Sequence, residues 1–530
     1  MRSKKFVAML IALAMLALPA CGNGGGGGAS DAGDLVNGKT FTMTLGTDPG
    51  AMDPGMTVLT APRLLGRFLY SRLVEPTDDG KVVPALAEKW DVDATTATFT
   101  LREGITCDDG SELTATAVAD NINFIGDPAN QSPLLGLNVQ PGTVAKADDA
   151  ARTITVTSGA PDAFLLHNVG GVPIACASGL ADRDLLAKGK AGTGMFKLVE
   201  AVANDHYKLE RREDFAWGPG DWDQDQKGLP DEVVIRIIPN ETTAANQLIS
   251  GEVNAAFIAG AEQDRLDRQD LFRVETAVPA GQFFFNESEG RPTADETVRR
   301  ALMQAQDLGE LRKVLAGAKG SVPTSMVVIS PNPCDLDAVK GNLPEHDVST
   351  AEEALDAAGW EKGADGIRTK DGKKLELDMI YLNTFGETMA ATAELAQQEW
   401  KKIGVAVKLH GVDNTKLGEA LFGTGDWDIS AGQVAATLPS QLVGFFGGPV
   451  PPDGTNFAHV DNAEYDALAS KAATQTGAAG CEDWAAAESE LVKSVDAVPY
   501  ANSVAVTYGK GARFTTVDVG INPTSIRMYE

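Results

Sequence analysis

The 530-residue chain is short of cations, histidine, cysteine and aromatic rings. Lys and Arg number 45 against 74 Asp and Glu, a formal charge of −29. So acidic a surface repels nucleic acid and anionic lipid, which excludes partners held through phosphates. The acids are spread along the chain, as on a solvated surface. The five histidines, at 167, 206, 346, 410 and 459, show no metal-ligand spacing. There is no G-x-S-x-G, no H-E-x-x-H and no dinucleotide fingerprint. Covalent chemistry therefore has no obvious seat, and no cofactor is expected. Beyond the first twenty residues, no run is long and apolar enough to span a bilayer.

The chain opens "MRSKKFVAMLIALAMLALPAC". Arg2, Lys4 and Lys5 form a basic head, and Phe6 to Leu18 an apolar core too short for a comfortable span. Residues 1–20 read as a signal peptide. Leu18-Pro19-Ala20-Cys21 resembles the lipobox of bacterial lipoproteins, with Pro19 a departure from the usual pattern. The resemblance implies cleavage before Cys21 and a diacylglycerol on its sulfur, a tether to the outer face of the cytoplasmic membrane. The alternative is an ordinary cleaved signal with a stray cysteine. The glycine-rich residues 22–33 suit a flexible linker, since ordering glycine costs much entropy. The body is expected outside the cytoplasm.

"GDLVNGKT", Gly33 to Thr40, matches the phosphate loop of ATPases. That loop needs a buried strand before it and a helix after it. A glycine-rich tail precedes this one. Phe41, Met43 and Leu45 then alternate with threonines, as in a strand. An ATP site is not expected.

The body alternates strand-like and helix-like segments, the pattern of an α/β protein. Thr96–Leu101 and Thr153–Ser158 alternate as strands, and Glu232–Pro239 is a more buried one. Val298, Ala301, Leu302 and Ala305 share one helix face. In "TAEEALDAAGW", Thr350 and Glu353 suggest a capping box and Gly359 a stop. A long helix is expected near Glu387 to Ile403, before the strand "VAVKLH". The length suggests two or more lobes.

Asp221, Asp223, Asp225 and Glu232 echo positions 1, 3, 5 and 12 of a calcium loop. Position 6 is Gln226 where that turn wants glycine, so a solvated acidic loop is preferred and no metal is expected. With Cys21 set aside, Cys107, Cys176, Cys334 and Cys481 allow three pairings, or none.

Several ordered stretches resemble the family 5 extracellular solute-binding proteins, the dipeptide, oligopeptide and nickel receptors of ABC importers. The most specific is "LYSRLVEPTDDGKVVPALAEKWDVDATTATFTLREGITCDDGSELTA", Leu69 to Ala115. It holds a V-P-x-L-A-x-x-W step and an L-R-x-G…D-G hairpin, which makes "CDDG" at Cys107 a turn. "AMDP" at Ala51, "GTGMFKLVE" at Gly192, "LPDEVVIRIIPNETTAANQLISGEVNAAF" at Leu229 and "FFFNESEGRPTADETVRRALMQAQD" at Phe283 follow the family's order, as does "AEEALDAAGW". The likeness covers nearly all of 41–510.

It implies a bilobal periplasmic-binding-protein-like fold with two interlobe crossings. Lobe I would comprise a core of 41–59, 190–275 and 500–530 with an extra subdomain at 60–189, after a lipidated linker at 21–40. Lobe II would be 276–499. Pairing within lobes then favours Cys107–Cys176 and Cys334–Cys481. The lobes would shut on a solute, probed by a permease and powered by a separate ATPase. A monomer is expected.

In peptide-binding members a lobe II acid holds the ligand's ammonium. The matching stretch here, Trp427 to Gly447, has no acid after Asp428. The gap falls near Ala435 to Thr437, which argues against ordinary free-amino peptides and for a blocked peptide, neutral oligomer or other small molecule. Residues at positions matching cleft loops are Thr47, Asp48, Met52, Phe285, Asn286, Gln433 and Phe445; core packing or a satisfied loop is the plainer reading of each. The expected function is capture and delivery of a peptide or peptide-like solute, without catalysis. The alternatives are a secreted lipoprotein hydrolase, which would consume its ligand, and a signalling or surface-interaction protein on the same fold.

Overall fold

The computed structural model describes residues 33–77, 80–383, 387–517 and 520–530. The residues expected to form a signal peptide, a lipidated Cys21 and a flexible linker lie outside them, up to residue 32. One mixed ten-stranded sheet runs through the molecule. Across it, in order, lie 406–412, 376–382, 429–432, 272–285, 497–509, 255–258, 40–45, 232–237, 206–211 and 196–202.

Thr40–Leu45 begins where a phosphate loop would need a helix. It pairs in parallel with Glu232–Ile237, and Lys39 Nζ donates to the Tyr529 carbonyl at 2.7 Å. Phe41, Met43 and Leu45 are buried, as their alternation predicts.

The centre of the sheet is two long antiparallel strands, Phe272–Phe285 and Ala497–Gly509. Both run from one apolar core into another: Phe272 and Val274 pack on the first, and Ala280, Phe283, Phe285, Val498 and Tyr500 lie in the second. Their register shifts between Pro279 and Gln282. A β-carbon at Gly281 would lie 2.4 Å from the Tyr500 ring, so only glycine fits that crossing.

On one side, the four-stranded sheet 87–92, 96–101, 153–157 and 144–148 is backed by helix Ala115–Gly126. It shares a single apolar core with the 40–45 region, through Phe99, Ile122, Phe68 and Phe196. On the other side, Phe283, Trp400 and Ile429 centre a second core. Helix Glu296–Gln304 buries Val298, Ala301 and Leu302, as expected. Helix Val348–Ala357 starts earlier than its sequence suggests. Asp347, not Thr350, is the cap, accepting from Thr350 N–H at 3.0 Å, because an aspartate three residues upstream already fills that role.

The bodies also meet away from the crossing strands. Phe164 is fully buried in a third core with Trp484, Met326 and Cys334. The Phe164 and Trp484 ring centroids are 6.2 Å apart, and Gly477 N–H donates to the Ala163 carbonyl at 2.6 Å.

The structure joins Cys107 to Cys176 and Cys334 to Cys481. Cys107 to Gly110 forms a hairpin turn, closed by Cys107 N–H to the Ser111 carbonyl at 2.8 Å. The four acids of the calcium-like loop do not converge. Glu232 is drawn into a strand and pairs with Lys208 at 2.5 Å, and no cluster of three metal-ligating side chains exists among the described residues.

Candidate functional site

Helix Thr60–Leu69 turns Pro62, Leu65, Phe68 and Leu69 into the core. Its other face, with Arg63, Leu64 and Arg67, borders a cavity of about 400 Å³. The same body adds Arg72, Leu134, His167 and neighbours. The opposite body adds Ile329, Pro331, Ala435, Thr437, Leu438, Gln441 and Phe445. The cavity thus lies between the two bodies, beside the Phe164 contact.

The second wall is built by a short turn of helix. Pro439 starts Pro439–Leu442, which runs into Val443–Phe446. The Gln441 side-chain oxygen accepts from Thr437 N–H at 3.0 Å and Leu438 N–H at 3.3 Å, so it ties its own loop. Phe445 leans on Phe457, ring centroids 6.3 Å apart. This wall carries no charged side chain among the described residues.

The first wall carries three arginines. Arg67 Nη1 and Arg72 Nη1 approach one oxygen of Glu75 at 3.5 and 3.9 Å. These side chains are 7% and 17% exposed, and Glu75 is 16% exposed. His167 Nε2 lies 3.1 Å from the Gly80 carbonyl, which can only accept, so Nε2 holds the proton. Burial, first, lowers the His167 pKa, outweighing the Gly80 bond and nearby Asp162; the ring is neutral.

Of the seven residues expected at the site, Phe445 stands on the cavity wall. The other six do not line it, and five of them have structural work elsewhere. Thr47 is exposed beyond the first strand. Asp48 accepts from the amides of Asn204 and Gly50, at 2.6 and 2.9 Å, and from the Tyr207 hydroxyl. Met52 is buried and bonds the Ala187 carbonyl through its N–H. Phe285 is core. The Asn286 amide donates to the carbonyls of Gly425 and Trp427 at 3.1 and 3.0 Å. Gln433 donates to the Ala280 carbonyl at 2.9 Å, bracing a crossing strand.

The three wall arginines were missed. Arg63 and Arg67 stand four apart on one helix, a like-charge pair that helices tend to avoid, and that spacing was the available signal. Ala435 and Thr437, where the ammonium-holding acid is absent from the sequence, both face the cavity.

Residues 81–454 match the family described as bacterial extracellular solute-binding proteins, family 5, middle region. The chain belongs to that family. It is 27% identical over 311 residues to the oligopeptide-binding protein AppA of Bacillus subtilis, covering 57% of this chain and 54% of that protein. It is 25% identical over 442 residues to the dipeptide-binding protein DppE of Bacillus subtilis, 78% of each. A substrate binding protein from Microbacterium hydrocarbonoxydans, solved with 4-hydroxybenzoate hydrazide, superposes with a TM-score of 0.73 at 25% identity, covering 92% of this chain and 100% of that one. These proteins share the bilobal α/β fold, and the family is one of solute binders rather than enzymes. Among the described residues no helix is long and apolar enough to cross a membrane.

Proposed function

We propose that this protein is a lipid-anchored, extracytoplasmic receptor that encloses a small solute between its lobes and presents it to the permease of an ABC importer. The observation that carries the reading is the 400 Å³ cavity walled by both bodies, which are joined by just two crossing strands at the sheet. A cavity of that size suits a drug-sized molecule or a very short peptide. The small aromatic hydrazide carried by the Microbacterium protein supports a compact ligand. Contacts made by one solute to both walls exist in the closed form alone, so the solute stabilises closure.

The lobes are divided here as lobe I with its extra subdomain, up to about residue 275 and again from about 500, and lobe II between them. Cys21 is assigned as the lipid anchor. Native mass spectrometry of the freshly purified protein tests the receptor reading: a single small solute should be retained and released unchanged on unfolding. Recovery of a cleaved or altered product would replace the receptor with an enzyme. Cys21→Ser should release the protein from the membrane fraction; continued membrane retention would remove the anchor. The neutral second wall leaves no acid for an ammonium, so free-amino di- to pentapeptides should bind weakly in calorimetry. Tight binding would mean that another acid holds the amine.

A further inference from the structure

We infer that Gln441 contacts the solute directly, its amide N–H groups donating to a carbonyl oxygen on a compact, largely apolar molecule. This rests on the receptor reading and names the chemistry that the second wall selects.

Of the described residues on that wall, Gln441 alone carries side-chain N–H groups. One end of its planar amide is already held. The oxygen accepts from Thr437 N–H at 3.0 Å and Leu438 N–H at 3.3 Å, and the Thr437 hydroxyl lies 3.5 Å from it. Turned over, the amide would set its own N–H groups against those two backbone donors, so the oxygen end is fixed. The nitrogen Nε2 therefore points away from the loop backbone, and it makes no hydrogen bond among the described residues. The bond to Leu438 is the glutamine half of a capping box. Capping accounts for the oxygen alone; the amino group adds nothing to it.

In an open cleft, water can satisfy those N–H groups. A solute enclosed by both lobes displaces that water, and a donor left bare then costs more than a made bond returns. A site with such a donor favours a solute that brings an oxygen acceptor over an analogue that lacks one. Around Gln441 stand Ile329, Leu438 and Phe445, whose side chains form no hydrogen bonds and suit an aliphatic or aromatic body. The wall thus pairs apolar surface with one oriented donor. Because the loop backbone holds the amide before any solute arrives, little side-chain freedom is lost on binding.

Two sources of the carbonyl are separable: N-acetyl-leucine amide stands for blocked peptides, and N-acetylphenethylamine for non-peptide compounds. Each is paired with its thioacetyl counterpart, in which sulfur, a weaker acceptor, replaces the acetyl oxygen. Calorimetry on the full protein is the readout. At least one acetyl probe should bind about fivefold or more tightly than its thioacetyl partner, the size of one hydrogen bond. Gln441→Glu keeps an oxygen for Thr437 and Leu438 but replaces the amino group. It should abolish that gap while the unliganded melting temperature stays near that of the unmodified protein. A residue that only capped its turn would leave the gap intact. Should Gln441→Glu fail to fold, Gln441→Met and the oxygen-to-sulfur pairs on the unmodified protein carry the test. Equal binding of both acetyl and thioacetyl partners, a gap that survives in Gln441→Glu, or no binding of either acetyl probe would overturn the inference. A solute without a carbonyl in the native mass spectrum would overturn it too, while leaving the receptor reading standing.

Discussion

Glu488, on helix Cys481–Lys493, is 1% exposed, and its carboxylate accepts from Met326 N–H at 2.6 Å and the Ser325 hydroxyl at 2.8 Å. Burial pushes its pKa from 4.5 up to about 7, against the pull of those two bonds. The folded chain therefore keeps a proton that the unfolded chain has lost. Stability should fall as pH rises from about 4.5 to about 7, by on the order of 3 kcal/mol. Glu488→Gln mimics the protonated form and should flatten that part of the profile. Urea midpoints in mildly acid and mildly alkaline buffer measure it; an equally steep slope in the variant would show that the proton is bound elsewhere. Nothing in the sequence marks Glu488, which sits in an ordinary amphipathic run. Its environment comes from residue 325, far away in the chain. The same holds for Asn286 and Gln433: both were expected at cleft-loop positions, but their amides are spent on carbonyls that tertiary packing brings near.

At the scale of elements, alternation and period served well. Thr96–Leu101 is a strand over the expected residues, and the helix expected from Glu387 runs to Lys402. Both carry a regular apolar pattern whose burial needs no distant partner to decide it. The cap at Asp347 differs because capping depends on local geometry that two nearby candidates could both supply. The crossing strands were legible as a resemblance, while their register shift at Gly281 was not, since it is fixed by the facing Tyr500 ring. Gly281→Ala should therefore cost about 1–3 kcal/mol through overpacking. A chemical melt checks this, and an unchanged midpoint would mean that the strands part easily at that point.

At the scale of the molecule, the lobes touch at the crossing strands and again through Phe164. Phe164→Ala should remove about 3–5 kcal/mol from that second contact. The expected result is a larger radius of gyration in X-ray scattering of the unliganded protein, with a lower melting temperature. If both stay unchanged, the contact contributes nothing to closure. The cavity itself was half legible. Its uncharged wall falls where the acid is missing from the sequence; the arginines of the other wall share one segment, 63–72, while Leu134 and His167 join them from far along the chain. Their juxtaposition is a property of the folded lobe.

The two ends of the described body are stitched together. Leu35 bridges Tyr529, Val36 N–H donates to the Met528 carbonyl at 3.0 Å, and Glu530 N–H donates to the Asp34 carbonyl at 3.1 Å. A protein immobilised on a sensor chip through a handle after Glu530 is thus gripped beside the point where the N-terminal tail departs. The proposed anchor at Cys21 would hang the body from that same end, so the chip reproduces the orientation that the proposal gives it at a membrane.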